Sequence, residues 1–121
     1  RTKLPGDQKG IGGFELIKNV SPSEANKMMA EDSEAVLVDV REKWEYDIAN
    51  IKNSVLIPLS RLKDGTQNLS KEGTKIVMCH HGSRSLLAAA YLVQQGFSNV
   101  LNLQGGIDAW SLTVDKKVPR Y

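Results

Sequence analysis

The chain has 121 residues, 40% of them hydrophobic and 25% charged, with a formal net charge of +2 at pH 7. The length predicts one domain with a buried core, and the ordinary composition excludes disordered and fibrous classes. The small net charge gives no reason to expect nucleic-acid binding, because several basic residues lie near the two ends of the chain.

Cys79 is the single cysteine, so no internal disulfide can form, and no apolar run approaches the roughly 20 residues of a membrane-spanning helix. No signal peptide is visible. We therefore expect a soluble protein without membrane partners in a reducing intracellular compartment, either the cytoplasm or the stroma of a plastid or another organelle. Because the chain begins at Arg1 and not at methionine, we also expect it to be a processed or excised piece of a longer protein.

Residues 1–13 are polar and rich in glycine, which predicts a flexible leader before one domain over residues 14–121. Within that domain, predicted strands and helices alternate. The strands fall at 15–20, 35–40, 54–58, 75–78 and 99–103, and the helices at 21–31, 41–50, 60–65, 85–96 and 107–112. This alternation is typical of right-handed crossovers, so it predicts an α/β fold with a parallel sheet covered by helices on both faces.

Local signals support individual elements. Ser21 and Glu24 are spaced as a capping box, and Pro22 occupies the first helical position between them. Residues 35–40, AVLVDV, form an almost continuous apolar run, as a strand buried on both faces requires. Gly96 is placed to end the 85–96 helix.

Cys79 follows the 75–78 strand and precedes a helix, in the stretch MCHHGSRS. In α/β folds, ligands gather at the carboxyl ends of the strands. A tight loop leading into a helix N-terminus points several backbone N–H groups at one place and binds anions there. Gly82 can adopt a positive φ in such a loop, and Arg84 adds a planar charge suited to oxyanions. These features favour a thiolate, so Cys79 is predicted to be a nucleophile for an anionic substrate and not a core cysteine with apolar neighbours.

The other polar residues of the loop allow more than one interpretation. A zinc site of Cys79, His80 and His81 is disfavoured because adjacent residues rarely converge on one ion and the chain has no further Cys or His. No metal and no cofactor is therefore predicted, and the histidines are expected to form the loop wall and tune the field at the thiolate. Ser83 and Ser85 either donate hydrogen bonds to a charged sulfur or cap the helix, and both roles stay open.

Three blocks occur in a family-specific order: DVREKWEY from Asp39, CHHGSR from Cys79, and NVLNLQGGIDAW from Asn99. Over about residues 19–110, the chain resembles the rhodanese, or thiosulfate sulfurtransferase, family of the single-domain type. The resemblance implies one rhodanese-like domain with a five-stranded parallel sheet. It also implies a monomeric enzyme that transfers sulfane sulfur through a persulfide on Cys79.

The resemblance further implies roles for the loop, in which backbone amides hold the persulfide. The donor would be a small anion such as thiosulfate, and the acceptor cyanide, a cellular thiol or a protein. The residues expected to bind substrate are His80, His81, Gly82, Ser83, Arg84 and Ser85. Arg84 would orient the donor. Asp39 and Arg41 match a DxR block, for which we expect a structural ion pair near the loop, since a carboxylate at the end of a buried strand needs a partner.

Three alternatives are weighed against a free thiosulfate sulfurtransferase. The ending WSLTVDKKVPRY resembles rhodanese domains fused to larger activating enzymes, which would make this chain a persulfide relay domain excised from a larger protein. A cysteine-dependent phosphatase or arsenate reductase of the same fold is disfavoured, because four residues separate Cys79 from Arg84 where the phosphatases have five. An inactive interaction module is disfavoured because both Cys79 and Arg84 are present.

Overall fold

In the computed structural model, which describes residues 14–121, strands and helices alternate along the chain. The strands are β1 (Lys18–Val20), β2 (Val36–Asp39), β3 (Val55–Leu56), β4 (Thr74–Met78) and β5 (Asn99–Leu103). The helices are α1 (Pro22–Glu31), α2 (Lys43–Ile48), α3 (Leu62–Gly65), α4 (Ser83–Gln94) and α5 (Gly106–Thr113). Short 3-10 helices lie at Phe14–Leu16 and Leu59–Arg61. The predicted leader, residues 1–13, lies outside the described residues.

The five strands of the described chain form one sheet in the order β1–β5–β4–β2–β3, and every neighbouring pair is parallel. β4 is the central strand. Its Ile76 is opposite Leu37 of β2 on one side and Leu101 of β5 on the other. The predicted α/β class and the five-stranded parallel sheet are confirmed.

Apolar side chains pack on both faces of the sheet because neighbouring residues of a strand point to opposite sides. Leu37 and Ile76 belong to a cluster that includes Trp110 of α5. Val38 and Val77, the next residues of the same strands, belong to a second cluster that includes Ala88 and Ala89 of α4. Helices therefore cover both faces, as predicted.

The capping box of α1 forms as predicted. The hydroxyl of Ser21 accepts a hydrogen bond from the Glu24 N–H at 3.1 Å, and the Ser21 N–H donates to Glu24 Oε1 at 2.9 Å. Gly96, with a φ of +93°, follows the end of α4. Among residues 14–121, none of the helices is long and apolar enough to cross a membrane.

Most elements differ from their predicted bounds by one to three residues, and three of these differences have a visible cause in the structure. β1 is shorter than the predicted strand, because Phe14–Leu16 turns into a 3-10 helix and only Lys18–Val20 pairs with β5. α2 begins at Lys43 and not at Arg41, because the backbone and side chain of Arg41 are bound to Asp39. α4 begins at Ser83, two residues earlier than predicted, which places three of the candidate site residues on its first turn.

Candidate active site

Cys79 lies at the carboxyl end of β4, and only 1% of it is exposed. Its side chain belongs to the apolar cluster beneath α4. The backbone N–H of Gly82 donates a hydrogen bond to the Cys79 Sγ, with an N···S distance of 3.0 Å. Gly82 has a φ of +116°, in a region that glycine enters without a steric penalty, and it caps the N-terminus of α4. The loop thus curls around the sulfur and continues directly into a helix.

The N-terminus of α5 holds the same loop from the other side. The N–H of Ile107 donates to the carbonyl of Cys79 at 2.9 Å, and the N–H of Asp108 donates to the carbonyl of His80 at 3.2 Å. Gly106 has a φ of +61°, and a Cβ at this position would overlap both of those carbonyl oxygens. With the Cys79 and His80 carbonyls bound by α5, N–H groups of the loop face the thiol.

Two opposing effects act on the ionisation of the thiol. Burial raises the pKa of Cys79, but hydrogen bonds from the Ser85 hydroxyl and from the backbone N–H groups of Ser85, Gly82 and His81 lower it. The hydrogen bonds outweigh burial, so the pKa of Cys79 lies below its ordinary value. The thiolate is therefore favoured by donors fixed in the fold.

Ser85 connects the thiol to the end of β5. Its hydroxyl donates to Asn102 Oδ1 at 2.5 Å, and Asn102 Nδ2 donates to Asn19 Oδ1 at 3.0 Å and to the Gly82 carbonyl at 3.3 Å. Because a serine hydroxyl has one proton, it donates either to Asn102 or to the thiolate. The backbone amides are the donors that serve the sulfur in both cases.

Arg84 pairs with Glu45 of α2 through both terminal nitrogens. Nη1 donates to Oε1 at 2.7 Å and Nη2 donates to Oε2 at 2.9 Å. The side chain of Glu45 is 4% exposed and that of Arg84 is 35% exposed. The Arg84 hydrogen bonds lower the pKa of Glu45 from its ordinary 4.5 to about 2, against the opposing effect of burial, and Glu45 in turn raises the pKa of Arg84. Arg84 thus lies at the site with its planar fork already bound by a carboxylate.

Asp39 and Arg41 form an ion pair that is fully buried. Arg41 Nε donates to Asp39 Oδ1 at 2.9 Å and Nη2 donates to Oδ2 at 2.7 Å. The remaining donors of the guanidinium go to the carbonyls of Ala49 and Glu45 and to the hydroxyl of Tyr121. Every contact of this pair is with the protein, which makes it part of the support beneath the loop.

Tyr121 reaches the site from the last residue of the sequence. Its hydroxyl accepts from Arg41 Nη1 at 2.9 Å and donates to Glu45 Oε2 at 2.8 Å. Its ring stacks on that of His80, with centroids 3.9 Å apart and planes 5° apart. Burial raises the pKa of Tyr121 and so does Glu45, and together they outweigh the lowering effect of Arg41, so the hydroxyl keeps its proton at neutral pH.

The two histidines stack on each other beside the thiol, with ring centroids 4.0 Å apart. Burial and the neighbouring His81 lower the pKa of His80, so its ring is neutral at pH 7. In the described residues, His80, His81 and Asp108 are the group whose nitrogen and carboxylate atoms lie close enough to hold a metal ion, within 4.8 Å of one another. Asp108 is bound to Arg120 at 2.8 Å, so an ion there would compete with that pair.

The structure brings most of the predicted site residues together around the sulfur. Gly82 and Ser85 contact the thiol, His80 and His81 form a wall, and Asp39 and Arg41 lie beneath. Ser83 is exposed on the first turn of α4. Three contributors were not predicted from the sequence: Glu45, Asn102 and Tyr121. The sequence offers no more than their polar or aromatic residue types as a clue, because the tertiary fold brings each of them to the site from a distant position in the chain.

The fold and this site define a class: a parallel α/β domain in which one thiol lies at the end of the central strand, inside a loop of backbone N–H donors. Within that class, the chain belongs to the rhodanese-like domain family, whose sequence profile matches residues 21–113.

Individual relatives agree with this membership. The chain is 38% identical over 97 residues to "Thiosulfate sulfurtransferase GlpE" of Pseudomonas entomophila. The aligned region covers 80% of this chain and 87% of that protein. It is 37% identical over 114 residues to "Rhodanese-like/PpiC domain-containing protein 12, chloroplastic" of Arabidopsis thaliana, covering 88% of this chain but 38% of that longer protein. Among solved structures, a rhodanese-like domain protein from Staphylococcus aureus superposes with a TM-score of 0.74 at 27% identity, covering 87% of this chain and 99% of that one.

Proposed function

We propose that this domain is a sulfurtransferase, which takes sulfane sulfur from thiosulfate or a similar small anion onto Cys79 and passes it to cyanide or a thiol. The observation that carries the proposal is the Cys79 Sγ at the end of β4, bound at 3.0 Å by the Gly82 N–H at the start of a helix. The GlpE relative is named a thiosulfate sulfurtransferase, which supports the same reaction here.

The reaction balances with two nucleophilic displacements at sulfur and needs no oxidant or reductant. The Cys79 thiolate attacks the outer sulfur of thiosulfate, an S–S bond forms, and the bond within thiosulfate breaks with both electrons leaving on sulfite. Cyanide or an acceptor thiolate then attacks the outer sulfur of the Cys79 persulfide. The S–S bond breaks toward Cys79, which leaves as a thiolate and is ready for another cycle.

The loop serves both steps because its donors point at the negative charge. The amides of His81, Gly82 and Ser85 and the N-terminus of α4 stabilise the thiolate before the first step and the persulfide anion after it. The peptide group that carries the His81 N–H is held by a backbone hydrogen bond from α5, and Ser85 lies on the first turn of α4, so these donors need little rearrangement during the reaction.

Arg84 contributes positive electrostatic potential to the site, but its guanidinium is not free to bind an anion. Both of its terminal nitrogens are bound to Glu45, so a thiosulfate ion would have to share the guanidinium with that carboxylate or displace it. Glu45 offsets part of the Arg84 charge, and the partly exposed guanidinium still acts electrostatically on the thiolate. We propose that the arriving dianion draws Arg84 partly away from Glu45.

The depth of Cys79 restricts the acceptor. With 1% of the residue exposed, a thiol on a flat protein surface cannot reach the persulfide without opening the loop. A small thiol, cyanide or a slender protein segment fits this requirement. A relay role within a longer protein uses the same chemistry, and this chain spans 38% of the Arabidopsis relative.

A phosphatase role is disfavoured by the same contacts. A phosphoryl group has three equatorial oxygens to be held, which calls for a wide loop and a free arginine fork. Here four residues separate Cys79 from Arg84, and the fork is bound to Glu45.

The test uses the single thiol of the chain. Incubation with thiosulfate followed by intact-mass measurement should show the addition of one sulfur atom, and cyanide should remove it with formation of thiocyanate. Cys79→Ser should abolish both, since no other cysteine is present. A cyanide-dependent rate that survives in Cys79→Ser would disprove the proposal, and rapid turnover of a chromogenic phosphate ester by the native protein would favour the phosphatase.

A further inference from the structure

We infer that Tyr121 is a positioning residue of this site: its hydroxyl tunes the Glu45–Arg84 pair that meets the donor, and its ring steadies the Cys79 loop through His80. The inference rests on the proposed function for its substrate, thiosulfate. It concerns a residue 37 positions beyond Arg84 in the sequence, outside the loop and outside the stretch matched by the family profile, residues 21–113.

The hydroxyl of Tyr121 joins two ion pairs. On one side it accepts from Arg41 Nη1 at 2.9 Å, and on the other it donates to Glu45 Oε2 at 2.8 Å. That same Oε2 accepts from Arg84 Nη2 at 2.9 Å. Tyr121 and Arg84 therefore bind one carboxylate oxygen together, and the strength with which Glu45 holds Arg84 depends on the hydroxyl.

This sharing has a direct consequence for an arriving anion. While Tyr121 donates to Glu45, the carboxylate keeps a partner when Arg84 turns toward the donor. Without the hydroxyl, Oε2 of the almost fully buried Glu45 side chain would lose that donor, and an unsatisfied buried charge is costly. Glu45 would then retain Arg84 more firmly, and thiosulfate would bind less well.

The ring of Tyr121 acts on a different part of the site. His80 lies between two rings, with Tyr121 at 3.9 Å on one face and His81 at 4.0 Å on the other. His80 is also the residue whose carbonyl accepts from the Asp108 N–H. Its side chain and backbone are thus both held, which fixes the following amides of His81 and Gly82 where they donate to the sulfur.

Removing the ring should therefore weaken the support of the thiolate. The other charged and titratable side chains around the loop are unchanged in the variants below: Asp39, Arg41, Glu45, His80, His81, Arg84, Asp108 and Arg120. A change in the ionisation of Cys79 would then report the loop amides.

The experiment compares Tyr121→Phe, which keeps the ring, with Tyr121→Ala, which removes both ring and hydroxyl. The matched control is Tyr46→Phe on α2, because no hydrogen bond of the Tyr46 hydroxyl is found among the described residues. For each protein, the pH dependence of Cys79 alkylation by iodoacetamide and the KM and kcat for thiosulfate are measured well below the melting temperature.

In Tyr121→Phe we expect the KM for thiosulfate to rise by about three- to tenfold, with kcat and the alkylation midpoint near those of the native protein. In Tyr121→Ala we expect the same rise in KM, a fall in kcat, and an alkylation midpoint moved to higher pH. Tyr46→Phe should leave all three unchanged. Should Tyr121→Ala fail to fold, Tyr121→Leu gives the same readout, because it fills space without a stacking face.

A purely structural Tyr121 would lower the melting temperature and leave the other measurements alone. The inference is therefore overturned by a native alkylation midpoint in Tyr121→Ala, or by a native KM in Tyr121→Phe. Failure of the proposed function looks different, because the native protein would transfer no sulfur. The alkylation shift in Tyr121→Ala needs no turnover and would still support or overturn the inference.

Discussion

Two carboxylate–arginine pairs lie one hydroxyl group apart in this molecule, and they differ in almost every other respect. Asp39–Arg41 has no exposed side-chain surface on either partner. In Glu45–Arg84 the arginine is 35% exposed and faces the candidate site. Arg41 directs all three guanidinium nitrogens to protein acceptors, whereas within residues 14–121 no acceptor is found for Arg84 Nε.

The two pairs show that solvent exposure decides whether a carboxylate–arginine pair supports the fold or is able to exchange partners at a site. A fully satisfied, fully buried pair cannot change partners without leaving charges unpaired in a medium of low dielectric constant. A pair with one partner at the surface can exchange, because water or an anion replaces the lost contact at modest cost. Solvent access to Arg84, and not the pairing itself, makes it the candidate for binding a donor.

The largest expected effect is on stability, from breaking the buried pair. Arg41→Met keeps the length of the side chain but leaves the Asp39 carboxylate buried without its partner, so we expect the free energy of unfolding to fall by about 3–5 kcal/mol. Urea denaturation followed by circular dichroism measures this. Lys43→Ala is the control, because the exposed Lys43–Asp47 pair should contribute almost nothing. Equal losses in the two variants would contradict the distinction.

The second effect is on activity, from removing the exchangeable arginine. Arg84→Ala should lower kcat/KM for thiosulfate by about tenfold, a change in transition-state stabilisation of about 1.4 kcal/mol. It should also raise the pKa of Cys79, read from alkylation, because the thiolate loses a nearby positive charge. Arg84→Lys should restore more of the effect on the Cys79 pKa than of the effect on thiosulfate binding, since a point charge lacks the planar fork.

The loss of unfolding free energy in Arg84→Ala should be clearly smaller than in Arg41→Met. If the two variants lose equal stability and Arg84→Ala keeps native kinetics, then Arg84 is structural and the contrast between the pairs fails.

The smallest effect is the dependence of stability on pH. The pKa of Glu45 is about 2 in the fold, below its ordinary 4.5, so folding is favoured while the carboxylate is charged. This contribution is complete above about pH 4.5 and is lost as the pH falls toward 2. Because Arg84 is partly solvated, we expect a loss of about 1 kcal/mol.

Glu45→Gln isolates that contribution, because the substitution removes the ionisable carboxyl group and keeps the size of the side chain. The difference in unfolding free energy between the native protein and Glu45→Gln should shrink between pH 4.5 and 2.5. A difference that stays constant over this range would show that the charge of Glu45 does not stabilise the fold.

A feature of this molecule can be predicted from the sequence when the residues that form it lie close together along the chain. The position of Cys79 after a buried strand, and of Gly82 before a helix, is a local pattern, so the loop and its donors could be predicted. The parallel sheet could be predicted as well, because residues 35–40 and 75–78 are apolar runs separated by helical segments. Propensity and periodicity carry these features without any knowledge of tertiary contacts.

The rest of the site depends on side chains that meet only after folding. Glu45 lies 39 residues from Arg84, and Tyr121 lies 76 residues from Glu45, so no spacing rule connects them. The sequence predicts that Arg84 orients the donor, but nothing local signals that a glutamate on α2 already binds its guanidinium. The early start of α4 was missed for a related reason, since the helix begins where Gly82 adopts its positive φ around the sulfur.

The depth of Cys79 bears on how long a transferred sulfur would stay on the protein. A persulfide in open solution is consumed by whichever thiol collides with it first. Here the inner sulfur lies beneath a glycine turn and the first turn of α4, with 1% of the residue exposed. The residence time of the transferred sulfur would then be governed by access to this buried position and not by intrinsic reactivity, so the domain would retain its sulfur among abundant other thiols and release it to a partner slender enough to reach it.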